Sequence, residues 1–254
     1  MDMSNKCKFA NRCSKKGTPA CSPLCQAFTF MHGESGDRGL WTTRNVPQKY
    51  ENCSLENLPK LEPETTDTLV RKYGRLVVEK VQDGLGLFLY SKPTATNKFG
   101  TGNGKTTTAI TLVNEYMVAR AYQHLKGENR LTSKANPALF VKSSDFQNIY
   151  NSQFRGTKEM QEEASINYYR LKTRMLNVEL LVIDDIALRA GSEAFVNEMY
   201  EIIDHRAVEE LATIFTSNIP MEELASIYGD RIVSRIEGMT VALPFSGKDN
   251  RKRI

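Results

Sequence analysis

The sequence predicts an α/β fold, in which a mostly parallel sheet is flanked by helices, with a small cysteine-rich piece ahead of it. Three observations carry that prediction. Short apolar runs alternate with longer stretches of helical periodicity from position 66 onward, the pattern of strands covered by helices. One apolar run leads into the glycine-rich turn Gly102-Asn103-Gly104, which opens a helix. All five cysteines lie within the first 53 residues, so the chain divides by composition alone.

Residues 1–40 are rich in Cys, Lys and Gly without sustained periodicity, and so short a piece needs a staple to fold. Residues 41–66 read as a connector carrying Pro47, Pro59 and Pro63, and residues 67–254 as the main domain. Leu69, Tyr73, Leu76, Val77 and Val81 recur at helical spacing, which predicts one amphipathic helix over Thr66–Gln82. Leu85–Tyr90 is an apolar run, a buried strand, and the helix after the glycine-rich turn runs over Thr107–Leu125. Strands are then expected at Ala138–Lys142, Glu179–Ile183 and Ala212–Thr216. The helices between them are expected at Ser143–Phe154, Glu159–Leu176 and Ser192–Glu210.

A chain of 254 residues buries one substantial core and still carries an appendage. Hydrophobic residues at 40% and charged residues at 25% are ordinary for a globular protein. No apolar run reaches the ~18 residues of a membrane span. The start, Met1 to Cys7, lacks the apolar core of a secretory signal, so the expected address is the cytoplasm. A net charge of +4 permits nucleic-acid binding without arguing for it.

The glycine-rich turn carries the first chemistry. Phosphate oxygens need several backbone N–H donors at close range, which glycine allows because it has no Cβ. The helix that follows presents its positive end to the anion. Gly102, Asn103, Gly104, Lys105, Thr106 and Thr107 are therefore the candidate contacts to ATP or ADP, with Lys105 on the β- and γ-phosphates and Thr106 on Mg²⁺. The first glycine of the usual Gly-x-x-x-x-Gly-Lys-Thr pattern would fall at Phe99, with Gly100 beside it, and the loop Ser91–Lys98 is longer than usual. Leu180-Leu181-Val182-Ile183 ends in the paired acids Asp184 and Asp185. Asp184 is the second candidate for Mg²⁺, and Asp185 would polarise the attacking water. Thr216-Ser217-Asn218 ends the next strand, where Asn218 would hold that water or sense the γ-phosphate. Arg231 and Arg235 are four apart and share a helix face, from which one of them would act on a neighbouring subunit's phosphate.

Two further sets stand out. Cys7, Cys13, Cys21 and Cys25 supply four thiols for a closed zinc site, with His32 and Cys53 as spare ligands. Lys142, Arg155, Lys158, Arg170, Lys172 and Arg174 are interleaved with Tyr150, Phe154, Tyr168 and Tyr169. Cations for phosphates and aromatic faces for bases suit single-stranded nucleic acid, although an amphipathic helix with its aromatic side in the core has the same composition.

From about Val46 to Arg251 the chain resembles the bacterial and phage DnaC/DnaI helicase loaders and their relative, the transposition ATPase IstB. Six segments carry the resemblance in order: Val46–Leu58 ahead of the core, Gly86–Tyr90 leading to Walker A, Leu181–Ile186 as Walker B, Ile214–Asn218 as sensor 1, Gly229–Ile236 as box VII, and Phe245–Arg251 as the closing Gly-x-x-x-Arg element. The resemblance implies an AAA+ core that self-associates through a shared ATP site. It implies nucleotide contacts from Arg231 and Arg251, with Arg235 as the arginine finger. It also implies single-stranded DNA as a ligand and a hexameric DnaB-type helicase as partner, docked by the N-terminal domain. Two alternatives remain at this point: an IstB-like ATPase that delivers a transposase, and a non-hydrolysing adaptor or inhibitor of a helicase.

Overall fold

The computed structural model describes residues 6–22, 24–131, 136–187 and 191–250. Five parallel strands form one sheet: β1 (Gly86–Ser91), β2 (Ala138–Lys142), β3 (Leu180–Asp184), β4 (Thr213–Ser217) and β5 (Thr240–Phe245), in the order β2-β3-β4-β1-β5. A buried parallel sheet has apolar residues on both faces, which is why its central strands read as unbroken apolar runs. Leu87, Leu89, Phe140, Val182 and Ile214 belong to one core, and Phe88, Leu139, Val141, Ile183 and Phe215 to the other.

The first core is closed by α4 (Lys105–Lys126) and by α2 (Glu64–Arg75) with α3 (Val77–Gln82). The expected single helix over Thr66–Gln82 is thus two, broken at Leu76, whose φ of −106° and ψ of 21° lie off the helical line. The second core is closed mainly by α5 (Ser143–Ser152), α6 (Lys158–Asn177), α7 (Glu193–Val208), α8 (Met221–Tyr228) and α9 (Asp230–Met239). Thr157 and Ser192 cap α6 and α7 by accepting Met160 N–H and Phe195 N–H, donors that a helix start leaves without partners.

Strand β5 escapes the apolar-run criterion. Val241 is exposed and Pro244 cannot donate to a ladder, features that suit the sheet edge where β5 lies. A short helix, α1 (Gln26–His32), precedes the main domain. Phe9, Met31 and Trp41 share the first core with α4, and Arg44 stacks on Trp41 at 3.6 Å while donating to Asn114 Oδ1 at 2.9 Å. The segment before the connector therefore lies against α4.

Arg206 on α7 is fully buried. Its guanidinium donates to Met175 O (2.8 Å), Val178 O (2.9 Å), Ala212 O (2.7 Å) and Thr213 Oγ1 (2.8 Å), tying α6 to the starts of β3 and β4. Arg206→Met leaves those carbonyls unpaired in the core, at a cost of about 1–3 kcal/mol each before relaxation. A net loss of about 3 kcal/mol is expected, read as a Tm about 6–12 °C lower in calorimetry for a chain of this size. Nucleotide affinity should be unaffected.

Candidate nucleotide site

The sheet order separates β1 from β3 by β4, so the glycine-rich loop after β1, the end of β4 and the paired acids after β3 stand side by side at the carboxyl edge. That edge is where open α/β sheets place ligands. A cleft of about 590 Å³ opens there. Gly102–Thr107 form its floor, Asp185 and Asn218 its far end, and Lys248 and Asn250 part of its rim. Tyr50 and Leu58–Glu62 of the connector form the remaining wall.

Within the loop, Gly102 (φ 66°) and Gly104 (φ 101°) adopt backbone that side chains disfavour. Lys105 begins α4, and its ammonium donates to Ser91 Oγ and to Asn103 Oδ1 at 3.1 Å. Asn103 in turn donates to Phe245 O at 2.9 Å, which fixes the loop against β5. The tight first turn sits one residue later than the usual pattern. Gly100 has φ 59°, and a Cβ there would lie 2.6 Å from the Ser91 Cβ. Gly100 therefore makes the close approach, and Phe99 points outward with 82% exposure.

The Thr106 hydroxyl donates to Asp184 Oδ1 at 2.8 Å, joining the phosphate loop to β3. Thr216 Oγ1 donates to the same oxygen at 2.7 Å and accepts the Asp185 N–H at 2.8 Å. Burial and the neighbouring Asp185 push the Asp184 carboxyl above its usual range, opposed by the bonds from Thr216 and Thr106 and by the Lys142 charge. Asp185 has φ 55°, a left-handed conformation that Asp tolerates better than most residues. Hard oxygen donors, one of them a buried carboxylate, are the ligand chemistry Mg²⁺ prefers, so Thr106 and Asp184 fit the ion.

Other expected residues fall elsewhere. Arg231 and Arg235 are exposed on α9 and do not line the cleft; Arg235 Nε donates to Asp204 Oδ1 at 2.7 Å. Arg251 lies outside the described residues. Of the basic and aromatic set, Lys172 is paired with Glu198 and Glu201 at 2.7 Å each, and Arg174 donates to Thr43 O. Tyr168 is buried among Phe146 and Tyr150. Phe154, Arg155, Lys158, Tyr169 and Arg170 remain exposed. The connector wall, Ser91 and Lys248 were not anticipated as site residues. A polar residue closing an apolar strand was the available signal for Ser91.

The thiols of Cys7, Cys13, Cys21 and Cys25 are free and half-buried. Burial, and to a lesser degree the proximity of Cys13, Cys25 and Cys21, raises the Cys7 thiol, opposed by a hydrogen bond with the Phe9 backbone. Among the described residues no three Cys, His, Asp or Glu side chains are close enough to hold a metal, and the expected zinc sphere is not assembled. His32 is not a free substitute ligand, because its Nε2 accepts the Lys8 N–H at 3.3 Å. Burial and the charges of Lys8, Arg44 and Lys6 lower its pKa to about 4. Unfolded, His32 protonates near its ordinary value of 6.5; between these values the unfolded chain binds more protons, so stability falls as pH drops through that window. His32→Gln should flatten the dependence of Tm on pH between about 6.5 and 4, and an unchanged slope would refute the assignment.

Residues 150–237 match the family described as IstB-like ATP binding protein. The replicative helicase loader DnaC of Escherichia coli K12 is 26% identical over 207 residues, covering 81% of this chain and 71% of that protein. The crystal structure of DnaI superposes with a TM-score of 0.56 at 20% identity, covering 79% of this chain and 95% of that one. Domain III of the Thermotoga maritima replication initiation protein DnaA gives 0.54 at 19% identity, covering 81% and 70%. These two likenesses concern the fold alone, an α/β core whose five-stranded parallel sheet is flanked by helices. The chain is thus similar, over four-fifths of its length, to DnaC replicative helicase loaders, and its residues 150–237 match the model of IstB-like proteins.

Proposed function

We propose that this chain is a cytoplasmic ATPase that loads a hexameric DnaB-type helicase onto single-stranded DNA, with ATP hydrolysis controlling its release. The observation that carries the ATPase reading is the bond from Thr106 to Asp184, which brings phosphate loop and acid strand to one point. The client comes from the similarity to DnaC. Gly102, Asn103, Gly104, Lys105 and Thr107 bind the phosphates; Thr106 and Asp184 hold Mg²⁺, which supplies charge neutralisation at the phosphates when bound. Asp185 and Asn218 orient the attacking water. The apolar connector wall of Leu58, Pro59 and Leu61 is suited to the base. Arg231 and Arg251 add nucleotide contacts at the subunit boundary.

Arg235 acts on the cradle of a second copy, in keeping with its position away from its own cleft. Arg235→Ala should leave ATP affinity unchanged and lower helicase- and DNA-stimulated turnover by about 10³-fold. Normal stimulated phosphate release in that variant would remove the finger assignment. The exposed Phe154, Arg155, Lys158, Tyr169 and Arg170 are the contacts for single-stranded DNA.

Residues 1–40 grip the helicase, and the thiols of Cys7, Cys13, Cys21 and Cys25 bind zinc once they are brought within coordination distance of one another. Metal analysis of the purified chain tests that; a metal-free protein sinks it. The decisive test of the whole reading is capture of a DnaB-type helicase by the immobilised chain with and without ATP. The family match over residues 150–237 favours one second reading, an IstB-like ATPase for a transposase, and capture of a transposase in the same experiment selects it.

A further inference from the structure

Phe99 is held in water at the head of the phosphate loop on a stiff mount. The buried side chain of Asn97 donates to Thr101 O at 2.8 Å and to Gly247 O at 3.0 Å. Gly100 N–H returns to Asn97 O at 3.1 Å, and Lys92 N–H is bonded to Phe245 O at 2.8 Å. The loop has no slack with which to fold the ring against its own core. Lys92 and Lys98 beside it are exposed, and positions 92–101 contain no acid. The tip is therefore cationic with one large apolar ring.

The α7/α9 face has the complementary character. Glu201, Asp204 and Val208 recur at i, i+3 and i+7 of α7 and so form one stripe. Glu201 is exposed, although it also pairs with Lys172, and Val208 is 65% exposed. Arg235 reaches this stripe through its bond to Asp204. The arginine that the proposed function sends to a second copy thus stands on Asp204, in a stripe that also carries Glu201 and the exposed Val208.

We propose that Phe99 anchors a second copy of this chain, seated on that copy's α7/α9 face, with Lys92 and Lys98 set against Glu201 and Asp204. The inference rests on the shared-site reading. The Phe99 loop leads directly into the phosphate cradle at Gly102, so a copy that delivers Arg235 to the cradle is brought close to Phe99. Charge complementarity selects the register, and the buried aromatic supplies the affinity. Because the two patches differ, the contact is head-to-tail and extends into a ring or a helical array. Phe99, which departs from the usual glycine of the phosphate loop, is by this account an assembly residue.

Sedimentation velocity of the full chain, with a non-hydrolysable ATP analogue over a concentration series, tests the proposal. The wild-type chain should assemble. Phe99→Ser, at a position too exposed to disturb folding, should raise the assembly Kd about 30-fold while nucleotide affinity stays within about twofold. Lys98→Glu should weaken assembly by about tenfold, and adding Glu201→Lys should restore most of it. Wild-type-like assembly of Phe99→Ser overturns the proposal. So does normal assembly with lost capture of single-stranded DNA or helicase, which would give the ring another occupant. If assembly survives Phe99→Ser while Arg235→Ala still abolishes hydrolysis in trans, the docking alone is wrong; a wild-type chain that stays monomeric with nucleotide overturns the shared site as well.

Discussion

Lys105→Ala is expected to weaken ATP binding by about 100-fold or more, the largest single effect on the site. The ammonium begins α4 and is presented to the cleft by Ser91, Asn103 and the loop backbone. Hydrogen bonds to ionised partners contribute about 1.5–3 kcal/mol each, and two such bonds to β- and γ-oxygens amount to about 3–6 kcal/mol. Each 1.4 kcal/mol is tenfold in affinity, so the lower bound is already near 100-fold. Ser91→Ala provides the contrast, because Ser91 holds the lysine and also donates to Gly100 O at 2.6 Å without reaching the phosphates. It should cost about tenfold or less. Titration with a fluorescent nucleotide reads both variants. Binding within about threefold of wild type in Lys105→Ala would mean that the affinity arises elsewhere, and the phosphate-loop assignment would fail.

Where the backbone pattern and the burial pattern coincide, the fold is legible in the sequence. Leu139-Phe140-Val141 and Leu181-Val182-Ile183 are buried on both faces of a parallel sheet, so nothing polar interrupts them. The expected strands match to within a residue or so. Edge strand β5 was not expected, because one side of it faces solvent and Pro244 breaks the strand signal. The break at Leu76 was invisible for a different reason. Apolar spacing continues through it, and only the packing of α2 and α3 around α4 requires the turn.

Residues contiguous in a motif were found, and residues brought in from a distance were not. Thr106 and Asp184 are 78 positions apart, yet both stood out because one opens a helix and the other closes a strand at the same sheet edge. Tyr50 belongs to a segment read only as leading into the core and Leu61 carries no motif, so only the folded connector shows that they reach the cleft. The thiol cluster marks the opposite limit. Cysteine type and clustering predict zinc, but spacing does not dictate that four sulfurs converge within coordination distance. Phe99 shows how a departure from pattern reads differently in three dimensions. In the sequence it looks like a damaged cradle; in the fold Gly100 makes the turn and Phe99 faces solvent.

The second large effect is expected on turnover at Asp185. Asp185→Asn should lower stimulated ATP hydrolysis by about 10²–10³-fold, the usual share of a group that activates the attacking nucleophile. ATP affinity should stay within about threefold, since the phosphate contacts and the Thr106–Asp184 bond are untouched. The choice of Asn isolates the chemistry. With φ at 55° this position favours Asp or Asn, and the left-handed backbone costs other residues roughly 1–2 kcal/mol. Asp185→Ala should therefore lose the same turnover and also lower Tm, whereas Asp185→Asn keeps the wild-type Tm. Phosphate release measured with helicase and single-stranded DNA, together with calorimetry on both variants, separates the two losses. If Asp185→Asn hydrolyses ATP at the wild-type rate, the base lies elsewhere and Asp185 serves only to shape the turn. If neither the variant nor the wild-type chain releases phosphate, nucleotide acts only as a structural ligand, and the non-hydrolysing adaptor replaces the loader cycle.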